Sequence, residues 1–153
     1  MTITKPKPSA SGTADFIYNQ SEAVYNLLQK SNALGLEEVF QQLYEVFDEC
    51  SIRGWDGEDA EPISAETLQN AREILESFPL GIEPPEVGAE PDGAITLEWY
   101  KSPDRVISIS INPDSRLYFA AIIGATRRQG SNYALSLSDD ICKLISQVTG
   151  KLK

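Results

Sequence analysis

The 153-residue chain contains no histidine, and this absence narrows the chemistry that it can perform. Histidine is the usual general base near neutral pH, the group that activates serine and cysteine nucleophiles, and the commonest metal ligand. Carboxylate and lysine chemistry remain open. The sequence therefore favours a non-enzymatic function over an enzymatic one, and it leaves the question of catalysis undecided.

Cysteine and long apolar runs are also scarce. The two cysteines, Cys50 and Cys142, fall on the apolar faces of predicted helices, where a thiol is usually a small core residue. No segment approaches the roughly 20 apolar residues that cross a membrane. The N-terminus also lacks the apolar core of a signal peptide. These features predict a cytoplasmic protein without a membrane partner.

Positive charge is scarce in the first two-thirds of the chain. The net charge is -10, whereas residues 101–153 alone sum to +4. Nucleic acids and anionic membranes are bound by basic surfaces. We therefore expect no nucleic-acid partner, and the charge is compatible with a protein partner, either a basic protein or a second copy of the chain.

Residues 53–62 form a predicted loop that is rich in carboxylates. These are Asp56, Glu58, Asp59 and Glu61. Calcium needs several oxygen ligands at fixed spacing, and Ala60 occupies a position where a calcium loop requires one. We therefore predict a solvated acidic loop, without metal or cofactor. Trp55 is expected to anchor this loop on the core, although a role as a surface contact stays open.

Three segments, residues 94–100, 105–111 and 116–123, alternate apolar side chains with others and predict β-strands. The links between them are short and each contains Pro-Asp, so neighbouring strands must be antiparallel. We pair Tyr100 with Val106 and Ile111 with Leu117. This register predicts a buried first face with three rows: Trp99–Ile107–Ala121, Leu97–Ile109–Phe119 and Ile95–Ile111–Leu117.

The opposite side of this meander is called the second face below. Its predicted rows are Tyr100–Val106–Ile122, Glu98–Ser108–Ala120 and Thr96–Ser110–Tyr118. Two explanations stay open for its mixed character: a helix of the same chain covers it, or it is an interaction surface for a partner or a second copy. In the second case the partner-binding residues are Tyr100, Val106, Tyr118 and Ile122.

Helical periodicity and capping residues predict about four helices. One begins near Glu22 after Ser21, and one runs from Leu36 to Cys50. A third is capped by Ser64 and stopped by Pro79, and the last is capped by Ser138 and ends before Gly150.

The overall prediction is an α+β fold, in which a three-stranded antiparallel β-meander packs with about four α-helices. Residues 1–14 lack periodicity and predict a flexible tail, and residues 15–153 predict a single domain. Residues 80–90 read as an extended connector, with a short edge strand as an open alternative.

Residues 124–133 are predicted to be a loop that contains Arg127 and Arg128 between glycines. Paired guanidinium groups on a flexible backbone could hold a phosphate or a carboxylate. Glu98 is predicted to lie opposite Ser108 and near the small Ala120, where it could line a pocket. These three charged residues are the candidate ligand-binding residues.

Two motifs occur together in the middle of the chain. The first is Trp55-Asp56-Gly57, followed by Ala60, Pro62 and Ser64, and the second is PDGAITLEWY at residues 91–100. Over residues 54–124 the chain resembles a family of small bacterial proteins without an assigned activity. The resemblance implies a bacterial protein and transfers no catalytic residue.

Two functions from different classes follow. The favoured one is a non-enzymatic protein-binding module, such as a small acidic adaptor, inhibitor or chaperone-like protein, with homodimerisation as an option. The alternative is a small-molecule-binding protein or carboxylate-based enzyme with a site near Glu98, Arg127 and Arg128. A helix lying across the second face would cover the binding surface of the first function and the ligand site of the second, and would exclude both.

Overall fold

The computed structural model describes residues 36–79, 81–132 and 138–150. Apart from Leu36 and Glu37, these residues belong to the compact unit Glu38–Lys153. The predicted tail over residues 1–14 and the predicted helix near Glu22 lie outside the described residues.

Three helices occur in the described part of the chain: α1 (Glu37–Glu49), α2 (Ala65–Glu76) and α3 (Asp139–Thr149). They confirm the last three predicted helices, including two caps. The Ser64 hydroxyl accepts a hydrogen bond from the Thr67 amide at 3.1 Å, and the Ser138 hydroxyl accepts one from the Ile141 amide at 3.3 Å. None of these helices is long and apolar enough to cross a membrane.

The sheet has five antiparallel strands in the order β1-β2-β3-β4-β5. Their bounds are β1 Glu86–Ala89, β2 Ile95–Ser102, β3 Arg105–Ile111, β4 Leu117–Ile123 and β5 Thr126–Asn132. The predicted meander is β2 to β4, and its register is confirmed. Tyr100 pairs with Val106, and Ile111 pairs with Leu117. The α+β class is therefore correct, whereas the predicted number of strands is too small.

The prediction of a loop over residues 124–133 is wrong, because β5 occupies most of it. This strand pairs with β4 from Thr126 to Asn132. Its sequence, TRRQGSN, has no apolar alternation, so the pattern that identifies half-buried strands is missing. The strand is held by backbone hydrogen bonds to β4, and a polar, arginine-bearing edge discourages pairing with other chains.

The connector over residues 80–90 contains a short edge strand, β1, in agreement with the alternative that the sequence leaves open. β1 pairs with β2, so that Glu86 lies opposite Glu98 and Gly88 opposite Thr96. The Val87 amide donates a hydrogen bond to Gln42 Oε1 of α1 at 3.1 Å, and α1 thereby occupies a donor of β1. Covering an edge in this way limits pairing with other strands.

Two hairpins use the same turn, and both contain Pro-Asp. In the β3–β4 hairpin, the Ser115 amide donates to the Asn112 carbonyl at 3.0 Å, and the Arg116 amide donates to Asp114 Oδ1 at 3.0 Å. The β1–β2 hairpin has the same two bonds, from the Gly93 amide to the Glu90 carbonyl and from the Ala94 amide to Asp92 Oδ1. Gly93 (φ 90°) stands where the other hairpin has Ser115 (φ 63°). Local turn chemistry therefore explains the register.

The hydrophobic core lies between the first face and the helices. α3 contacts β2, β3 and β4, and α2 contacts β2 and β3. The first-face residues of β2 and β3 are almost fully buried: Ile95, Leu97, Trp99, Ile107, Ile109 and Ile111. The strongly specified register follows from this burial, because a slip of one residue would turn every one of these side chains to the other face.

Candidate functional site

The second face differs from the first in its exposure. Residues paired across strands share a face, so β5 adds Arg127, Gln129 and Ser131 to it, and β1 adds Glu86 and Gly88. Side chains of the second face are half-buried or exposed, and α2 and α3 lie against the opposite side. No helix within the described ranges covers this face, so the cover predicted as one alternative is not found there.

The four predicted partner-binding residues all lie on the second face. Tyr100, Val106 and Ile122 form one row across β2, β3 and β4. Tyr100 is 58% exposed, an unusual exposure for a large apolar side chain in this structure. Val106 and Ile122 are half-buried. Tyr118 is also half-buried and lies outside this row, on β4 opposite Ser110. The row is a continuous apolar stripe that crosses three strands.

Tyr118 is held in place by its neighbour Arg116. The Arg116 guanidinium lies 5.8 Å from the centre of the Tyr118 ring, and its Nη1 donates a hydrogen bond to the Tyr118 hydroxyl at 3.1 Å. Cation–π contact and hydrogen bond together restrict the ring. This second aromatic residue is therefore presented in a defined orientation rather than as a freely rotating side chain.

Two shallow depressions, of about 450 and 490 Å³, lie on the second face over β3 to β5. They share three lining residues, Ser108, Ala120 and Gln129. The first also reaches Glu90, whose Oε1 accepts a hydrogen bond from the Ser110 hydroxyl at 2.7 Å. The small side chains predicted for the centre of the face thus produce real concavities.

Of the three candidate ligand-binding residues, Arg127 and Arg128 both line the second depression, whereas Glu98 lies apart from them. Arg127 and Arg128 are consecutive in β5, so they project to opposite faces of the sheet rather than forming a clamp. Glu98 is exposed and lines neither depression. It lies on β2 while Arg127 lies on β5, which at about 4.8 Å per strand separates their backbones by about 14 Å.

Charge is instead divided between the two sides of the second face. The carboxylates Glu86, Glu90 and Glu98 lie on or beside β1 and β2, and the guanidinium groups of Arg116 and Arg127 lie beside β4 and on β5. Sequence reasoning missed this division because it assigned residues 80–90 and 124–133 to irregular segments. The period-two spacing of Glu86, Gly88 and Glu90 is the sequence feature that indicates a strand in this segment.

The acidic loop is organised by hydrogen bonds of its own. Asp56 Oδ1 accepts from the amides of Glu58 at 2.9 Å and Ala60 at 3.2 Å. The half-buried Trp55 donates from Nε1 to the Glu61 carbonyl at 2.9 Å. Within the three described ranges, no group of three or more acidic or cysteine side chains could hold a metal ion.

Both thiols are free, Cys50 being buried and Cys142 half-buried. Burial raises the pKa of each thiol, and the nearby carboxylates Glu49 and Asp139 raise it further. Because the thiolate is the nucleophile, the neutral thiols should react slowly.

We expect a disulfide reagent at pH 8 to label folded protein much more slowly than protein unfolded in urea. The rate in the folded state should increase as pH rises above the ordinary thiol pKa of about 8.5. The single variants Cys50→Ala and Cys142→Ala assign the two reactions. Since the pKa of each thiol is raised in the folded state, the two neutral thiols also contribute to the stability of the fold. That contribution is complete below the pKa of the unfolded state and is lost as pH rises through the pKa of the folded state. Equal labelling of folded and unfolded protein would contradict the expected burial.

No protein-family model, no curated protein and no solved structure matches this chain. The resemblance over residues 54–124 therefore stays a prediction.

Proposed function

We propose that this protein is a non-enzymatic protein-binding module and that it binds through the second face. One observation supports the proposal above others: an apolar stripe of Tyr100, Val106 and Ile122 lies accessible on this face, while the described helices lie elsewhere. Apolar patches of this kind on soluble proteins usually mark interaction surfaces, since leaving them in water is unfavourable.

The surroundings of the stripe have the composition of a protein interface. Two tyrosines and an arginine, Tyr100, Tyr118 and Arg116, are residue types that are enriched at interaction surfaces. Polar groups such as Ser108, Gln129 and Ser131 lie around the apolar side chains and could be satisfied by a partner's backbone. A wide face with open depressions suits a protein surface better than a small molecule, which is usually bound in a cleft that encloses most of its surface.

The alternative, a ligand-binding or carboxylate-based enzymatic site, has less support. Its groups are distributed over both faces and across three strand spacings, whereas catalysis needs reacting groups within hydrogen-bonding reach.

Photo-crosslinking in the producing cells tests the proposal without a known partner. A benzoylphenylalanine residue is introduced at Tyr100, and in a matched control at Ile52, which is 72% exposed outside the sheet. We expect Tyr100 to form a covalent adduct with a protein, whether another copy or a different chain, and Ile52 to form none above background. The second-site substitution Ile122→Glu should abolish the adduct.

Stability measurements complete this experiment. Because Tyr100 is exposed, Tyr100→Glu should change the free energy of unfolding by no more than about 0.5 kcal/mol, as Ile52→Glu should. Absence of any specific adduct at Tyr100 would count against the second face as a binding surface. Unfolding of Tyr100→Glu would mean that the face is part of the core, and the proposal would then be abandoned.

A further inference from the structure

The pattern of the second face specifies what kind of partner it fits. Resting on the proposed function, we propose that this partner is a second copy of the chain, related by a two-fold axis that runs parallel to the strands and passes over β3. In a two-fold dimer the same patch is used by both copies, so the patch must be complementary to itself.

The apolar stripe meets this requirement. Tyr100, Val106 and Ile122 lie on β2, β3 and β4 in one row, so the stripe is centred on β3. The axis places β2 of one copy over β4 of the other. Tyr100 then meets Ile122 of the second copy at two equivalent places, and the two Val106 side chains meet at the axis. The axis therefore places each of the three apolar positions of the stripe opposite another apolar position of the stripe.

The charged residues of the second face are also arranged so that the patch is complementary to itself. The axis places β5 of one copy over β1 of the other. Arg127 then lies one row, about 7 Å along the strands, from Glu86 and Glu98 of the second copy, a separation that extended arginine and glutamate side chains can bridge. Arg116, which lies beside β4, is placed over the β2 side of the second copy. Glu90 of the second copy lies on that side. Acidic and basic groups occupy opposite sides of β3 within each copy, so the two-fold operation brings unlike charges together.

The small residues at the centre prevent a clash between the two copies. In the row Glu98–Ser108–Ala120–Gln129, the axis sets each Glu98 over Ala120 and each Glu86 over Gln129. The depressions over Ala120 and Gln129 thus lie where these longer side chains enter. A carboxylate opposite an amide can also accept a hydrogen bond from it.

The size of the face indicates how tightly the copies should associate. Four strand spacings of about 4.8 Å give a width of about 19 Å, and seven residues of about 3.4 Å give a length of about 24 Å. The projected area is about 450 Å². The accessible area of a face covered by side chains is larger than its projection, but a face of this size still lies at the small end of the roughly 800 Å² that each partner contributes to a standard stable interface. We therefore expect a reversible dimer that dissociates on dilution.

Charge reversal tests this arrangement through light scattering and sedimentation equilibrium on the purified full-length chain. The first variant carries Glu86→Arg and Glu98→Arg, and the second carries Arg127→Glu. Each variant alone should have a dissociation constant about tenfold or more above that of the wild type, because like charges then face each other twice. An equimolar mixture should form a heterodimer with an affinity near that of the wild type, since both contacts again join unlike charges.

The matched control reverses two exposed carboxylates away from the sheet, Glu45→Arg with Glu49→Arg on α1, and changes the net charge by the same amount as the first variant. It should dimerise like the wild type. Recovery by mixing cannot arise from net charge or from damage to the fold, so it identifies the pairing itself.

The outcomes separate this inference from the proposed function. A wild type that stays monomeric at every concentration, or a dimer that ignores the reversals, overturns the two-fold arrangement. The binding-module proposal then stands only if the Tyr100 crosslink yields an adduct with a different protein. An adduct of twice the 16.8 kDa of the single chain supports both proposals. Variants that fail to fold overturn both, because the second face would then be part of the core.

Discussion

Replacing Trp99 with alanine is expected to lower the free energy of unfolding by about 3–5 kcal/mol. Trp99 is 2% exposed and lies on β2 in the row with Ile107 and Ala121. Its ring centre lies 5.8 Å from that of Phe78, which follows α2. The substitution removes the largest apolar side chain on the first face and leaves a cavity that the surrounding strands can close only in part.

A hydrogen bond adds to this loss. Trp99 Nε1 donates to the Glu83 carbonyl at 2.6 Å and thereby connects β2 to the segment that leads into β1. Without the indole, that carbonyl loses its partner in a half-buried environment, at a cost of about 1–3 kcal/mol unless water replaces it. Trp99→Phe isolates this contribution, because phenylalanine keeps most of the ring packing and has no N–H donor.

Trp55→Ala is the matched control for Trp99→Ala. Trp55 also donates a hydrogen bond from its indole, but it is half-buried on the acidic loop rather than in the core. We expect its loss to cost clearly less, about 1–2 kcal/mol. Urea denaturation followed by circular dichroism measures both. A Trp99→Ala variant as stable as the wild type would contradict the assignment of Trp99 to the core.

The second large effect is expected from a pair of neighbouring residues on β3. Ile109→Asp should reduce the free energy of unfolding by at least about 4 kcal/mol, because it places an unpaired carboxylate in the centre of the first face. Ile109 is fully buried between Leu97 and Phe119 of the adjacent strands. Since small domains are stable by about 5–15 kcal/mol, this loss removes a large part of the stability of the fold, and the urea midpoint should fall sharply.

Ser108→Asp introduces the same group one residue away and should be tolerated. Ser108 is half-buried on the second face opposite Glu98, so the new carboxylate stays hydrated, and repulsion from Glu98 should cost about 1 kcal/mol or less. The amide spectrum of this variant should remain dispersed, and its urea midpoint should remain close to that of the wild type. If both variants unfold, the second face is buried to a similar degree as the first.

This contrast also bears on the proposed interface. Ser108 lies close to the axis of the proposed dimer, so Ser108→Asp should weaken association while leaving the monomer folded. The stability of the monomer is measured at protein concentrations well below the dissociation constant, and association is measured at concentrations above it. The substitution should leave the first nearly unchanged and weaken the second.

The sequence by itself determined three helices and the central part of the sheet. Ser64 and Ser138 cap helices through their own hydroxyl groups, and the Pro-Asp turns close hairpins over a few residues. Alternation of apolar side chains in β2, β3 and β4 then leaves one register that buries all of them on one side. The helix caps and the turns depend on residues that are close in sequence, and the register depends on strands joined by short turns. All three can therefore be predicted from the sequence.

The exposure of the second face could not be predicted in this way. The same rows of Tyr100, Val106 and Ile122 are compatible with a covered face and with an open one. Which applies depends on where the helices lie, and that is decided by how α2 and α3 pack against the first face. The arrangement of the two arginines also depends on strand pairing, which sends the side chains of Arg127 and Arg128 to opposite faces of the sheet.

Only the tertiary structure decided the two outer strands and the charge pattern that they create. β1 and β5 carry little apolar alternation and are held by backbone hydrogen bonds to β2 and β4. Backbone N–H and C=O groups are common to all residues except proline, which lacks the N–H, so their pairing leaves little signature in the sequence. The opposition of Glu86 to Arg127 across the second face exists only once these strands have paired. It is a property of the assembled sheet, and it carries the inference that two copies bind each other.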